Sequence, residues 1–121
     1  MHGVLVADDQ ADMRLLVGAV IEHAHGEMEV IGESTTGAET IEQWRRIHPE
    51  VILLDQQLPD QTGLEVAEAI LQEQPDQRIY LFTSYLDRSI CDAAERIGVV
   101  ACLSKSDVFT LPETLSAGTS R

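Results

Sequence analysis

The sequence is short of basic residues, of cysteine and of long apolar runs, and each shortage excludes a class of protein. Eight basic residues stand against 21 acidic ones, a formal charge of −13, whereas direct binding of DNA or RNA needs a basic surface. The two cysteines, Cys91 and Cys102, fit neither a metal-ligand spacing nor a disulfide framework. The longest apolar runs, near residues 15–21 and 97–103, are far shorter than the ~18 residues that indicate a membrane span.

Acidic residues also occupy the start of the chain, where a signal peptide would carry basic ones. Asp8, Asp9 and Asp12 all fall within the first twelve positions. The chain has 121 residues, 44% of them apolar, which is enough for a hydrophobic core. We therefore expect a single domain over residues 1–121, located in the cytoplasm.

Short apolar runs alternate with helical patterns along the whole chain. The most continuous run is Val51–Leu54, which is typical of a strand buried on both faces. Apolar residues between the runs recur at helical spacing, and Thr-x-x-Glu sequences at Thr36 and Thr62 are typical of capping boxes. The predicted strands are residues 3–7, 28–33, 51–54, 78–83 and 99–103.

This alternation predicts an α/β fold with helices on both faces of a parallel sheet. Right-handed crossovers make a doubly wound five-stranded sheet in the order 2-1-3-4-5 the simplest arrangement. The last helix is the exception. Pro112 suits a first helical turn, but only Glu113 to about Ala117 remain before Gly118. The pattern predicts a short fifth helix, or a chain that was cut there.

Polar residues follow four of the five predicted strands and would meet at one edge of the sheet, where open α/β sheets bind ligands. These residues are Asp8, Asp9, Asp55, Thr83, Ser84 and Lys105. Three converging carboxylates repel one another unless a cation intervenes, and Mg²⁺ takes carboxylate, water and phosphate oxygens as ligands. A carboxylate can also attack phosphorus, giving an aspartyl phosphate.

Lys105 is the only lysine; the other seven basic residues are arginines. An ammonium beside the acids would offset charge on phosphoryl oxygens. A strand-end acid, a β-branched strand residue and a loop lysine are each ordinary, but their combination at one edge is not. The combination favours Mg²⁺-dependent phosphoryl chemistry at this edge.

Taken together, these residues resemble the response regulator receiver domain of two-component signal transduction, in particular receivers that precede helix-turn-helix output domains. The resemblance covers almost the whole chain, in order and spacing. It rests on Asp8, Asp9, Asp55, Leu58, Pro59, Gly63, Thr83, Ser84 and Lys105.

The resemblance implies a flavodoxin-like fold in which Asp55 accepts a phosphoryl group from a histidine kinase or a phosphotransfer protein. Thr83 would hydrogen-bond a phosphoryl oxygen, and Lys105 would pair with it. The implied Mg²⁺ ligands are Asp8, Asp9, Asp55 and the backbone carbonyl of Gln57. Phosphorylation would shift an equilibrium between two conformations and act on a downstream protein or a covalently linked output domain. Dimerisation stays open.

Three features depart from the family pattern and affect output rather than phosphate acceptance. Cys102 stands three residues before the lysine, where the family usually has Tyr or Phe. Ser106 follows Lys105, where Pro is frequent. The third departure is the short last helix. A stand-alone receiver and the excised receiver of a longer transcription factor both fit the sequence.

Three alternatives compete with the receiver interpretation. A Mg²⁺-dependent phosphohydrolase would place a second acid two residues after its aspartyl nucleophile, where this chain has Gln57, which cannot act as a general acid. A flavodoxin-like binding module would need a glycine- or hydroxyl-rich phosphate loop after the first strand, where this chain has Asp8-Asp9-Gln10. A degenerate receiver would act by protein contact alone. We expect no enzymatic activity beyond self-catalysed phosphorylation and dephosphorylation.

Overall fold

The computed structural model describes residues 2–24 and 28–119, with residues 117–119 described by their backbone. Its sheet has five parallel strands in the order β2-β1-β3-β4-β5, which confirms the predicted fold class and strand order. The strands are β1 (His2–Ala7), β2 (Met28–Ser34), β3 (Val51–Leu54), β4 (Arg78–Thr83) and β5 (Ala101–Ser104). The helices are α1 (Ala11–His23), α2 (Gly37–Ile47), α3 (Gly63–Glu73), α4 (Arg88–Ile97) and α5 (Leu111–Thr119).

Strand β3 lies at the centre of the sheet, and all four of its side chains are buried. Because side chains alternate along a strand, β3 contributes to two cores. Ile52 and Leu54 pack with residues of α2, α3 and α4 on one face. Val51 and Leu53 pack with residues of α1 and α5 on the other. This two-sided burial explains the unbroken apolar run, and it fixes the position of the residue that follows the strand.

Helix α1 packs through the apolar stripe that the sequence predicts. Val17 and Ile21 are buried, and Met13, Leu16 and Val20 pack against the same core. Gly26, which we expected to end this helix, lies outside the described residues. None of the helices in the described part of the chain is long and apolar enough to cross a membrane.

One of the two predicted capping boxes is complete. At α3, Thr62 Oγ1 accepts from the Glu65 N–H (3.1 Å), and Glu65 Oε1 accepts from the Thr62 N–H (2.9 Å). At α2, Thr36 Oγ1 accepts from the Glu39 N–H (3.0 Å) as expected. The Glu39 carboxylate, however, accepts from the Thr35 N–H (2.6 Å) instead of from Thr36. The helix therefore begins where predicted, but the second hydrogen bond of the capping box comes from the residue before Thr36.

The last third of the chain differs from prediction at two element ends. Strand β5 begins at Ala101 rather than at Val99, because the Val99 N–H donates to the carbonyl of Ala94 and so completes the end of α4 (3.0 Å). Gly98, with φ of 110°, makes the left-handed turn between them. A 3-10 helix, Lys105–Thr110, leads into α5, which includes Gly118 rather than ending before it.

Candidate functional site

The parallel register of β1 and β3 places Asp8 beside Asp55. Ala7 pairs with Leu54 across the two strands, and the Asp55 N–H donates to the Ala7 carbonyl (2.9 Å). Asp8 and Asp55 are buried, whereas Asp9 is exposed. Each of the three acids offers one ligand oxygen, and these oxygens lie within 4.8 Å of one another. The strand ends thus bring together the three carboxylates that the sequence predicts to converge.

Lys105 reaches both buried carboxylates from the end of β5. Its Nζ lies 2.7 Å from Asp8 Oδ2 and 3.2 Å from Asp55 Oδ2, and its side chain is 7% exposed. The other oxygen of each acid accepts a backbone N–H, from Gln10 at 2.9 Å for Asp8 and from Gln57 at 3.2 Å for Asp55. The ammonium contacts two of the three carboxylates in the cluster, so an excess of negative charge remains.

Burial and charge act in opposite directions on the protonation of this cluster. Burial, and after it the Asp8 carboxylate, raises the pKa of Asp55, and Lys105 offsets only part of that rise. Burial lowers the pKa of Lys105, but its hydrogen bond to Asp8 and the charge of Asp55 outweigh burial, so the net pKa is raised. The lysine is therefore held charged, while the Asp55 carboxylate is destabilised and would gain from a further cation.

A cleft of about 300 Å³ opens above the cluster. It is lined by Asp9, Gln10, Asp55, Gln57, Leu58, Pro59, Ser84 and Lys105. Asp8 is buried, contacts Lys105 and does not line the cleft. A larger apolar groove of about 430 Å³ lies between α1 and α5, and none of its lining residues belongs to the acidic cluster. Of these two spaces, the smaller cleft is the one lined by residues of the acidic cluster and by Lys105.

Thr83 ends β4 beside this cleft, but its hydroxyl is turned toward its own loop. Thr83 Oγ1 donates to the Tyr85 carbonyl (3.2 Å) and accepts from the Tyr85 N–H (3.4 Å). Together with Ser84 and Gln57, Thr83 lines a neighbouring cavity of about 220 Å³. Ser84 and Gln57 line both spaces. The sequence-predicted Thr83 is thus near the site, with its hydroxyl engaged by backbone.

The loop between β3 and α3 is packed directly against the backbone of Asp55. The carbonyl of buried Gln56 accepts from the Gly63 N–H (2.8 Å), and its side-chain Oε1 accepts from the Leu64 N–H (2.9 Å). A Cβ on Gly63 would overlap the Asp55 carbonyl oxygen. Glycine at this position therefore lets the first turn of α3 approach the end of β3.

Gly63→Ala is expected to lower the free energy of unfolding by about 1–3 kcal/mol, because the new methyl group meets backbone rather than the end of a flexible side chain. Urea unfolding followed by the fluorescence of Trp44 measures the change. Gly18→Ala is the matched control, since a Cβ at Gly18 in α1 has no atom within 4 Å. It is expected to be neutral or to stabilise by up to about 1 kcal/mol. Equal effects at the two glycines would contradict the close approach.

Cys102 leaves the family's usual aromatic position without a ring. It lies on β5 opposite Leu81 and is half-buried against the core formed with α2, α3 and α4. Burial, and after it the neighbouring thiol of Cys91, raises the pKa of Cys102 to about 12. The thiol is therefore protonated at neutral pH and behaves as a small apolar side chain.

Sequence reasoning missed three residues that shape the site. Gln10 supplies a backbone N–H to Asp8, and Gln56 fixes the start of α3. The carboxylate of Asp60 accepts from two backbone N–H groups at the start of α2. The Pro59-Asp60 pair was readable as a turn, but nothing in the sequence indicates which element its carboxylate contacts.

Comparison with known proteins places this chain in one family. The family model described as the response regulator receiver domain matches residues 4–115. A protein-glutamate methylesterase/protein-glutamine glutaminase of Methanococcoides burtonii is 34% identical over 107 residues, which are 87% of this chain and 30% of that protein. The chemotaxis protein CheY of Thermotoga maritima is 27% identical over 95 residues, 78% of each chain. The chain thus spans less than a third of the first relative.

Solved structures agree on the architecture. The response regulator domain of Thermotoga maritima CheB superimposes with a TM-score of 0.85 at 25% identity, over 99% of this chain and 95% of that one. The fold is that of a flavodoxin-like receiver domain. The chain belongs to the response regulator receiver domain family. This confirms the resemblance drawn from the sequence.

Proposed function

We propose that Asp55 is the phosphoacceptor of this receiver domain. The observation that carries the proposal is the setting of its carboxylate. It lies at the floor of the cleft, between Lys105 Nζ (3.2 Å) and the Gln57 N–H (3.2 Å), and next to the Asp8 carboxylate. Burial and Asp8 raise its pKa, and Lys105 offsets only part of that rise, so the anion is poorly stabilised unless a further cation binds.

The acidic cluster suits Mg²⁺, which prefers oxygen ligands. Asp8, Asp9 and Asp55 have ligand oxygens within 4.8 Å of one another, and with the backbone carbonyl of Gln57 they would hold the ion. Bound there, Mg²⁺ would neutralise excess carboxylate charge and charge on phosphoryl oxygens. The chain's own Lys105 supplies only one positive charge against three acids.

In the proposed reaction, an Asp55 carboxylate oxygen forms a bond to phosphorus while the bond from phosphorus to the donor's leaving group breaks. With a phosphohistidine donor, the imidazole of the kinase or phosphotransfer protein leaves. Lys105 pairs with the phosphoryl oxygens through its ammonium. Thr83 turns its hydroxyl from the Tyr85 carbonyl to a phosphoryl oxygen. That turn breaks the hydrogen bond to the Tyr85 carbonyl and so couples the site to the loop before α4.

The domain in this proposal accepts phosphate and turns over no separate substrate. It receives the group in the cytoplasm from a histidine kinase or phosphotransfer protein and passes a conformational change to a protein partner or a linked output domain. The second acid that a phosphohydrolase uses is absent, because its position is held by the exposed amide Gln57. No observation favours a second function.

Intact mass after incubation with Mg²⁺ and acetyl phosphate tests the proposal. One phosphate adduct per chain is expected, and none when EDTA replaces Mg²⁺. The absence of an adduct with acetyl phosphate and with a phosphorylated kinase would overturn the proposal and favour a receiver that acts by contact alone.

Gln57 and Tyr85 are expected to control how long the phosphate survives. Both are exposed and line the cavity beside Thr83, so truncation to alanine should admit water and shorten the lifetime by about 3- to 10-fold, equivalent to about 1 kcal/mol. The decay of the phosphorylated mass measures this. Leu86→Ala is the control, because Leu86 is exposed in the same loop but lines neither space. Unchanged lifetimes in Gln57→Ala and Tyr85→Ala would rule out this role.

A further inference from the structure

Asp60 connects the loop before α3 to a different helix. Its Oδ1 accepts from the Gly37 N–H (2.7 Å) and its Oδ2 from the Ala38 N–H (3.0 Å), so both oxygens bind the first two residues of α2. These two N–H groups, Gly37 first, hold the pKa of Asp60 below its usual range. A negative charge at a helix N-terminus is favourable. The helix already has its own cap in Thr36, which accepts from Glu39.

The loop that carries Asp60 also carries part of the cleft wall. At its base, Gln57 forms a bridge with Thr62, and the Gly63 N–H donates to the Gln56 carbonyl (2.8 Å). Between these contacts the chain passes through Leu58 and Pro59, both of which line the cleft.

The tip of this loop lies directly on the first turn of α2. A Cβ on Gly37 would overlap the side chain of Gln61. The Asp60 carboxylate therefore joins two surfaces already in close contact. Residues 57–59 are thus held at the base by backbone pairing and at the tip by Asp60.

We infer that Asp60 is a positioning residue for the metal site: by fixing the loop tip on α2 it holds the backbone of residues 57–59, and with it the Gln57 carbonyl, in place at the cleft. The inference rests on the proposed function, in which that carbonyl is a metal ligand. A positioning residue differs from a simple helix cap in the part of the structure that changes when the carboxylate is lost. A cap alone stabilises α2, whereas a positioning residue also keeps the cleft wall rigid.

Thr36→Ala provides the matched control. It removes the hydroxyl that accepts from the Glu39 N–H at the same helix end, a hydrogen bond in which the loop takes no part. Asp60→Ala removes both oxygens, and Asp60→Asn keeps one acceptor and loses the charge. Hydrogen exchange of the amides of residues 57, 58, 60 and 61 is measured in EDTA, and Mg²⁺ affinity is measured by calorimetry on the full chain.

Asp60→Ala is expected to speed exchange in the loop and to weaken Mg²⁺ binding by about tenfold, the range seen when a residue supporting a metal ligand is lost. Asp60→Asn should fall between it and the wild-type protein. Thr36→Ala should lower the melting temperature about as much as Asp60→Ala does, while leaving loop exchange and Mg²⁺ affinity unchanged.

Three results would overturn the inference, and each can be distinguished from failure of the proposed function. Loop exchange that is unchanged in Asp60→Ala, or equally faster in Thr36→Ala, would make Asp60 a helix cap only. If the wild-type protein binds Mg²⁺ and Asp60→Ala binds it with the same affinity, Asp60 has no effect on the metal ligand. A wild-type protein that binds no Mg²⁺ would instead overturn the metal site itself, and the positioning role with it.

Discussion

Asp55→Asn is expected to abolish phosphorylation under conditions in which the wild-type chain is fully modified. The amide has no anionic oxygen to attack phosphorus, yet it matches the carboxylate in size and retains an oxygen that can accept the Gln57 N–H. Lys105 keeps its 2.7 Å contact with Asp8, so the pocket should stay folded. Intact mass after incubation with acetyl phosphate and Mg²⁺ measures the loss.

Asp12→Asn is the matched control for this loss. Asp12 is an exposed acid in the first turn of α1, close in sequence to Asp8 but outside the acidic cluster. The control should be phosphorylated at the wild-type rate. An adduct on Asp55→Asn that peptide mapping assigns to Asp8 or Asp9 would contradict the choice of phosphoacceptor.

Asp55→Asn is also expected to be more stable than the wild-type chain in EDTA. Burial and the Asp8 charge raise the folded-state pKa of Asp55 above its unfolded value, so ionisation of this acid weakens the fold. The wild-type penalty is absent below the unfolded pKa of about 3.9 and grows as the pH rises through the folded pKa. Urea midpoints should therefore be higher in Asp55→Asn at pH 7 and should converge with wild type in acid.

The positions of the central site residues follow from the sequence because each comes directly after a strand. A strand as apolar as Val51–Leu54 is buried on both faces and therefore lies at the centre of the sheet. Parallel pairing with β1 then puts Asp55 beside the end of that strand, where Asp8 follows. Lys105 follows β5 in the same way. Local pattern and topology together sufficed to predict this convergence.

Other contacts depend on side-chain directions and on loops distant in sequence, which local patterns do not encode. The Glu39 carboxylate accepts from the Thr35 N–H rather than from the Thr36 N–H, although the two donors are only one residue apart. The Thr83 hydroxyl binds the Tyr85 backbone, a choice between staggered rotamers of small energy difference. Asp60 lies 23 residues from Gly37, and only the folded sheet brings them together. The sequence indicates which residues meet at the strand ends, but not which hydrogen bonds they make there.

Lys105→Met is expected to cause a large loss of stability in the absence of a divalent cation. The lysine side chain is 7% exposed, and its Nζ contacts both buried carboxylates. Methionine fills much of the same volume but leaves Asp8 and Asp55 without an ammonium. Removing one partner of a buried ion pair costs about 3–5 kcal/mol, and the open cleft above Asp55 places the expected loss toward about 3 kcal/mol. Urea unfolding in EDTA, followed by Trp44 fluorescence, measures it.

Mg²⁺ should then restore much of that loss, because a cation bound to the folded state replaces the missing charge and shifts the unfolding equilibrium. The stability difference between Lys105→Met and wild type is therefore expected to narrow as Mg²⁺ is added. Arg45→Met, which breaks an ion pair with Glu73 whose side chains are 60% and 52% exposed, should cost below about 1 kcal/mol and should not respond to Mg²⁺. A Lys105→Met protein as stable as wild type in EDTA would mean that water in the cleft already screens the two acids. Lys105 would then act on the phosphoryl group without stabilising the resting site.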